Sequence, residues 1–159
     1  MIVVADTGFI SSLLKINREE LILKLFEIDH ILVPVQVVRE LEKSSFFNKT
    51  THLFSYTESS KSWIHITNVE IEKNPELGEG ETAAIKLARE KDAVLLIDDK
   101  KAFKEAEKSG ILCLDLAGFL FSCKQMELIN TNHIKSIIND LKEKDHYSFS
   151  KEILELLLS

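Results

Sequence analysis

Proline and glycine are scarce in this 159-residue chain, at 2 and 5 residues. That scarcity excludes collagen-like sequence and a Pro/Gly-rich linker protein. Cysteine is as rare. Cys113 and Cys123 stand in apolar surroundings, at neither disulfide-framework nor metal-ligand spacing, and read as reduced core residues. No apolar run reaches the roughly 18–20 residues that span a bilayer. Met1 opens directly into Ile2-Val3-Val4-Ala5 with no basic stretch ahead of it, so a soluble, cytoplasmic protein without a signal peptide is expected. Positive charge is also short. Twenty Lys and Arg against 26 Asp and Glu leave a formal charge of −6. A whole-surface basic footprint for nucleic acid is therefore missing, although a local basic groove remains open. There is no Gly-rich phosphate loop with a following Lys and no nucleophile elbow, which disfavours P-loop and serine-hydrolase chemistry. The five histidines (His30, His52, His65, His133 and His146) lack zinc spacing.

What the chain does have is 45% hydrophobic and 29% charged residues, enough apolar material for one substantial core. Strand-like and helix-like stretches alternate along most of it. Ile2–Ala5, Ile31–Val33, Trp63–Val69, Ala93–Ile97 and Leu112–Leu114 read as strands. Helices are predicted over Thr7–Ile16, Arg18–Phe26, Pro34–Glu42, Gly80–Lys91 and Lys100–Ser109, with Pro34 at a first helical position and Gly110 as a cap. A turn is expected at Asn74-Pro75. Lys43–Lys61 is polar and reads either as more helix or as a loop, and three helices follow from Leu116 to Leu158. The pattern predicts a three-layer α/β/α sandwich with a central, mostly parallel sheet. Residues 1–125 would form the main domain, and 126–159 a helical C-terminal extension of it. Ligands of such sheets bind at the carboxyl ends of the strands.

The acids fall at those ends. Asp6 follows the first strand, where a helix N-cap would also want an Asp. Asp98 and Asp99 close the fourth strand, where a simple turn would also accept them. Glu81 lies within about 60° of Ala84, Ile85 and Ala88 on a helical projection, so it leans with the apolar stripe, while Glu79 lies opposite. Glu40 sits at the edge of its helix's apolar stripe and on spacing alone reads as a solvated acid. If the strands are parallel neighbours, Asp6, Glu81 and the Asp98-Asp99 pair converge. Two carboxylates about 4 Å apart repel by roughly 4 kcal/mol at an effective dielectric of 20, so a cluster calls for protons or a cation. Hard oxygen donors favour Mg²⁺ or Mn²⁺, which keep waters and bind phosphates. The expected chemistry is metal-dependent phosphodiester hydrolysis.

The ordered segments Val3-Val4-Ala5-Asp6-Thr7-Gly8, Val33-Pro34-Val35-Gln36-Val37-Val38-Arg39-Glu40-Leu41, Leu77-Gly78-Glu79-Gly80-Glu81-Thr82-Ala83-Ala84-Ile85 and Leu95-Leu96-Ile97-Asp98-Asp99 carry a resemblance. Over about residues 2–125 the chain resembles the PIN-domain ribonucleases, and within them the compact prokaryotic VapC-like proteins of toxin–antitoxin systems. The resemblance implies a PIN-like fold and a four-carboxylate catalytic site at Asp6, Glu40, Glu81 and Asp99. Asp6 and Asp99 would bind the metal, with Glu81 and Asp98 as further contributors. Many members have Asp where this chain has Glu81, and Ile97 replaces the hydroxyl residue often found before the fourth acid. The implied activity is an Mg²⁺- or Mn²⁺-dependent endoribonuclease, the toxin of a toxin–antitoxin pair. A small antitoxin protein and a homodimer are the implied partners.

Other readings differ at particular residues. A haloacid-dehalogenase-like phosphatase would need a second Asp where Gly8 stands, and a response-regulator receiver would carry its acidic pair early rather than late. A PIN-like fold used only to bind protein or RNA, with a weak or dead site, is the rival from another class. An RNA substrate also needs positive charge near the acids. Lys100, Lys101, Lys104 and Lys108 follow Asp99 on one helix, and Lys49 and Lys61 lie in the polar segment. Of these, Lys100 and Lys101, with Thr7, are the candidate substrate contacts, although a solvated helix face is the plainer reading of the lysines. The apolar run Ile153-Leu154, Leu156-Leu157-Leu158 is expected to pack onto the domain or onto a second subunit.

Overall fold

The structure, a computed structural model, describes residues 1–44 and 63–159. Lys49, His52, Lys61 and nearly all of the polar segment 43–61 lie outside the described residues. Five strands, β1 (Val3–Ala5), β2 (Ile31–Pro34), β3 (Ile64–Thr67), β4 (Val94–Leu96) and β5 (Cys113–Leu114), form one sheet in the order β3-β2-β1-β4-β5. All four pairings are parallel. Eight helices are seen among the described residues. They are α1 (Thr7–Lys15), α2 (Glu20–Phe26), α3 (Val35–Glu42), α4 (Glu79–Lys91), α5 (Lys100–Lys108), α6 (Leu116–Gln125), α7 (Thr131–Asp145) and α8 (Lys151–Leu158). The expected three-layer α/β/α arrangement is what the chain adopts.

Period-two alternation in the strands sorts the two cores. Val3, Ala5, Val94 and Leu96 face one side, where Phe9, Ile10 and Leu13 of α1, Val37 and Leu41 of α3, Phe119 of α6 and Ile137 of α7 meet them. Val4, Leu95 and Ile97 face the other, against Ala84, Leu87 and Ala88 of α4 and Ala102 and Ala106 of α5. Small residues on α4 and α5 let these helices lie close to the sheet. Cys113 and Cys123 are free and buried, as their apolar neighbours suggested.

Pro34 departs from its expected place. It ends β2, paired with Thr67, and serves as N-cap of α3 rather than as its first residue. Its φ of −62° suits the ring and its ψ of 148° is extended, so the residue completes the strand before the chain turns helical. Asn74 makes the expected turn, its Oδ1 accepting the Glu76 N–H at 2.9 Å. Gly110, at φ +77°, follows the C-cap of α5 in the left-handed region that glycine tolerates best. The C-terminal run packs onto the domain: Leu157 is fully buried, whereas Leu156 and Leu158 remain exposed. No described helix is long and apolar enough to cross a membrane.

Candidate active site

Connections from β1 run towards β2 and β3 on one side and return to β4 and β5 on the other, so the sheet's topological switch lies between β1 and β4. That is where open α/β sheets form a crevice beyond the strand ends. The register Ala5↔Leu96 sets the two strand ends level, and the Asp6 N–H continues the ladder to the Leu96 carbonyl at 3.0 Å. Asp6, Asp98 and Asp99 therefore emerge side by side. A cleft of about 390 Å³ opens here. Its walls include Asp6, Thr7, Glu40, Glu81, Asp98 and Asp99, together with Ser12, Asp145 and Tyr147.

Three of the acids are held in the same way. Asp6 caps α1, its Oδ1 accepting the Phe9 N–H at 3.0 Å. Asp99 caps α5, its Oδ1 accepting the Ala102 N–H at 2.9 Å. Glu81 reaches back so that its Oε2 accepts the Gly78 N–H at 3.1 Å, closing the start of α4. Each helix N-terminus fixes one oxygen and favours the negative charge on it. The second oxygen of each has no hydrogen-bond partner among the described residues. In each of these side chains one oxygen is used as a cap and the other is left open to the cleft.

Glu40 is held at both oxygens, and Asp98 has partners of its own. Glu40 Oε1 accepts the Gly80 N–H at 2.9 Å, and Oε2 accepts the Thr7 hydroxyl. This carboxylate therefore ties α3 to α1 and α4. Gly80 is needed for the approach, because a Cβ there would stand 2.8 Å from Glu40 Cδ. Asp98 Oδ1 accepts the Leu116 N–H at 2.9 Å, and the Tyr147 hydroxyl also hydrogen-bonds its carboxylate. Thr7, expected at substrate, lines the cleft and donates its hydroxyl to Glu40. Lys100 and Lys101 are exposed on α5 and form no part of the cleft wall.

Electrostatics follow from that crowding. Burial pushes the Asp6 carboxyl up to about 7, against the pull of the Phe9 N–H, with Glu81, Asp98 and Glu40 adding to the rise. Partial burial also raises Glu81, helped by Asp99 and Glu40, and burial raises Asp98. None of the five acids forms a salt bridge among the described residues. Such a set fits a hard divalent cation, which would supply the missing positive charge. Among the described residues no three Asp, Glu, His or Cys side chains are close enough to clasp one ion by themselves. An ion here would take one or two carboxylates, with water completing its shell, as Mg²⁺ usually does.

Sequence reasoning missed the contribution of the tail. Asp145, the last residue of α7, accepts from Ser12 Oγ at 2.6 Å and pairs with Lys15 Nζ at 2.7 Å. Its signal was present. Asp145 continues the stripe Ile137, Leu141 at steps of four, an acid on an apolar face like Glu81.

The family model DUF3368, a PIN domain, matches residues 2–159. Among solved structures the chain is similar to a PilT N-terminus domain protein from Sulfolobus solfataricus P2. The two are 17% identical with a TM-score of 0.48, over 77% of this chain and 92% of that one. It is also similar to a domain of a functionally unknown protein from Methanocaldococcus jannaschii DSM 2661, at 22% identity and a TM-score of 0.49, over 72% of this chain and 89% of that one. No curated protein matches it. Because the family match runs from the first strand through the last helix, this chain belongs to the PIN-domain family.

Proposed function

We propose that this PIN domain is an Mg²⁺- or Mn²⁺-dependent endoribonuclease that hydrolyses RNA phosphodiester bonds in the cleft between the ends of β1 and β4. PIN domains are in general nucleases. The observation that carries the finer reading is the buried Asp6, raised to about 7 and facing Glu40, Glu81 and Asp98 with no basic partner among the described residues. A buried carboxylate so placed is costly unless protonated or matched by a cation.

The free oxygens of Asp6, Glu81 and Asp99 would hold the cation or its waters. Once bound, the cation polarises the phosphate, lowers the pKa of a water and stabilises the charge of the displacement. Glu40, immobilised by Thr7 and Gly80, supplies a fixed negative wall that orients the attacking water without itself swinging. A cation held by Asp6 would compete with its proton, so cation affinity should rise with pH through about 7. Substrate phosphates would be gripped by lysines outside the cleft wall, Lys100 and Lys101 among them, with binding that weakens as salt rises. From the family resemblance we add that the protein acts as the toxin of a toxin–antitoxin pair, with a small antitoxin and a homodimeric form as partners.

The test is cleavage of a mixed RNA pool with Mn²⁺ by wild type and Asp6→Asn, with an EDTA control. Cleavage that needs both the metal and Asp6 supports the nuclease. Folded wild type that neither cuts RNA nor binds Mn²⁺ by calorimetry would sink it in favour of a binding module.

A further inference from the structure

Among the residues that the fold brings to the acidic cleft is Tyr147, from the C-terminal segment. Past Asp145 the chain turns at His146, whose φ of 51° is left-handed, and the Tyr147 N–H folds back to the Leu141 carbonyl at 3.1 Å. The Tyr147 ring packs edge-on against Phe149, with centroids 5.0 Å apart. Meanwhile Asp145 latches the end of α7 to α1 through Ser12 and Lys15, one helix turn and more beyond Asp6. These contacts fix the ring in the wall of the cleft, with its hydroxyl on Asp98.

Resting on the cation-site reading above, we propose that Tyr147 is a positioning residue: its hydroxyl, with the Leu116 N–H, holds the Asp98 carboxylate beside Asp6, so the C-terminal segment sets the cation affinity of a site whose acids all come from the ends of other elements. The division of labour within the Asp98-Asp99 pair follows. Asp98 has donors at Leu116 and Tyr147 and completes the negative field around Asp6, whereas Asp99 keeps an oxygen free for the cation. Tyr147 is not a catalytic residue, since it acts through Asp98.

The experiment is Mn²⁺ titration by calorimetry of wild type, Tyr147→Phe, Asp98→Asn and the double variant, each checked by thermal melting. Loss of a partner that orients a metal-site carboxylate typically costs roughly 10–100-fold in affinity. Tyr147→Phe should show a loss of that order while keeping its fold, because the ring still packs on Phe149. In the Asp98→Asn background the same change should add little. Unchanged affinity in Tyr147→Phe, or equal losses in both backgrounds, overturns the proposal while the nuclease reading stands. Wild type that binds no Mn²⁺ and cuts no RNA overturns the nuclease reading, and the positioning role with it.

Discussion

At the scale of single residues, Asp6 concentrates the tension of the site. Its folded carboxyl lies near 7, well above the ordinary Asp value of 3.8. The protonated form is thus favoured by folding, and this group's contribution to stability is complete below about pH 4 and lost as pH rises through about 7. Each unit of such a shift corresponds to about 1.4 kcal/mol, so the full swing is of order 4 kcal/mol at its limit. The raised Glu81 and Asp98 act in the same direction. In EDTA, thermal melting should fall between pH 4.5 and 7.5 from these groups, and Mn²⁺ should restore it at the upper end. Asp6→Asn should flatten much of that dependence and melt higher than wild type at pH 7.5 without metal, since Asn caps a helix as well as Asp. A steeper fall in the variant than in wild type would refute the assignment. Asp6 and Glu81 were legible as candidates because position and helical phase suffice to single out an acid where water is scarce. Glu40 was a candidate through the family resemblance and not through spacing, because its contacts with Thr7 and Gly80 cross between helices and leave no periodic trace.

At the scale of elements, the three helix starts are caps, and the metal role proposed for them can be separated from capping by substitution. Asp99→Asn keeps the cap on α5, with Ala102 N–H still satisfied, but removes the charge. It should leave the melting temperature nearly unchanged while Mn²⁺ affinity and RNA cleavage fall by at least tenfold, within the range expected for a lost metal contact. Asp99→Ala should lose the cap as well, costing about 1 kcal/mol in denaturant unfolding. If the two variants bound Mn²⁺ as wild type does, Asp99 would be a cap alone. Most element positions were readable from hydrophobic period, since buried strands and one-sided helices impose it. Boundaries moved where pairing rather than period decides them: Pro34 was drawn into β2 by its pairing with Thr67, and β5 shrank to Cys113–Leu114.

At the scale of the whole molecule, the C-terminal helices are part of the site's frame. Leu157 is fully buried in the main core with Phe119, Leu120 and Ile137, and Lys124 Nζ donates to its carbonyl at 3.0 Å. Leu157→Ala should cost about 2–5 kcal/mol in urea unfolding, as expected for a cavity in a close-packed interior. Leu156→Ala, at a side chain 48% exposed, should cost far less, and equal losses would contradict the burial of Leu157 on this face of α8. Local pattern determined the alternation of strands and helices, the acids at the ends of β1 and β4, and the order of segments that resembles a PIN domain, because each depends on neighbours within a turn or a strand. Only the tertiary structure decided that β1 lies beside β4, that Glu40 is clasped by Thr7 and Gly80, and that Tyr147 reaches Asp98 across three intervening helices. The physical reason is that a side chain's partner across the sheet is selected by packing of the whole core, and no repeat in the chain encodes it.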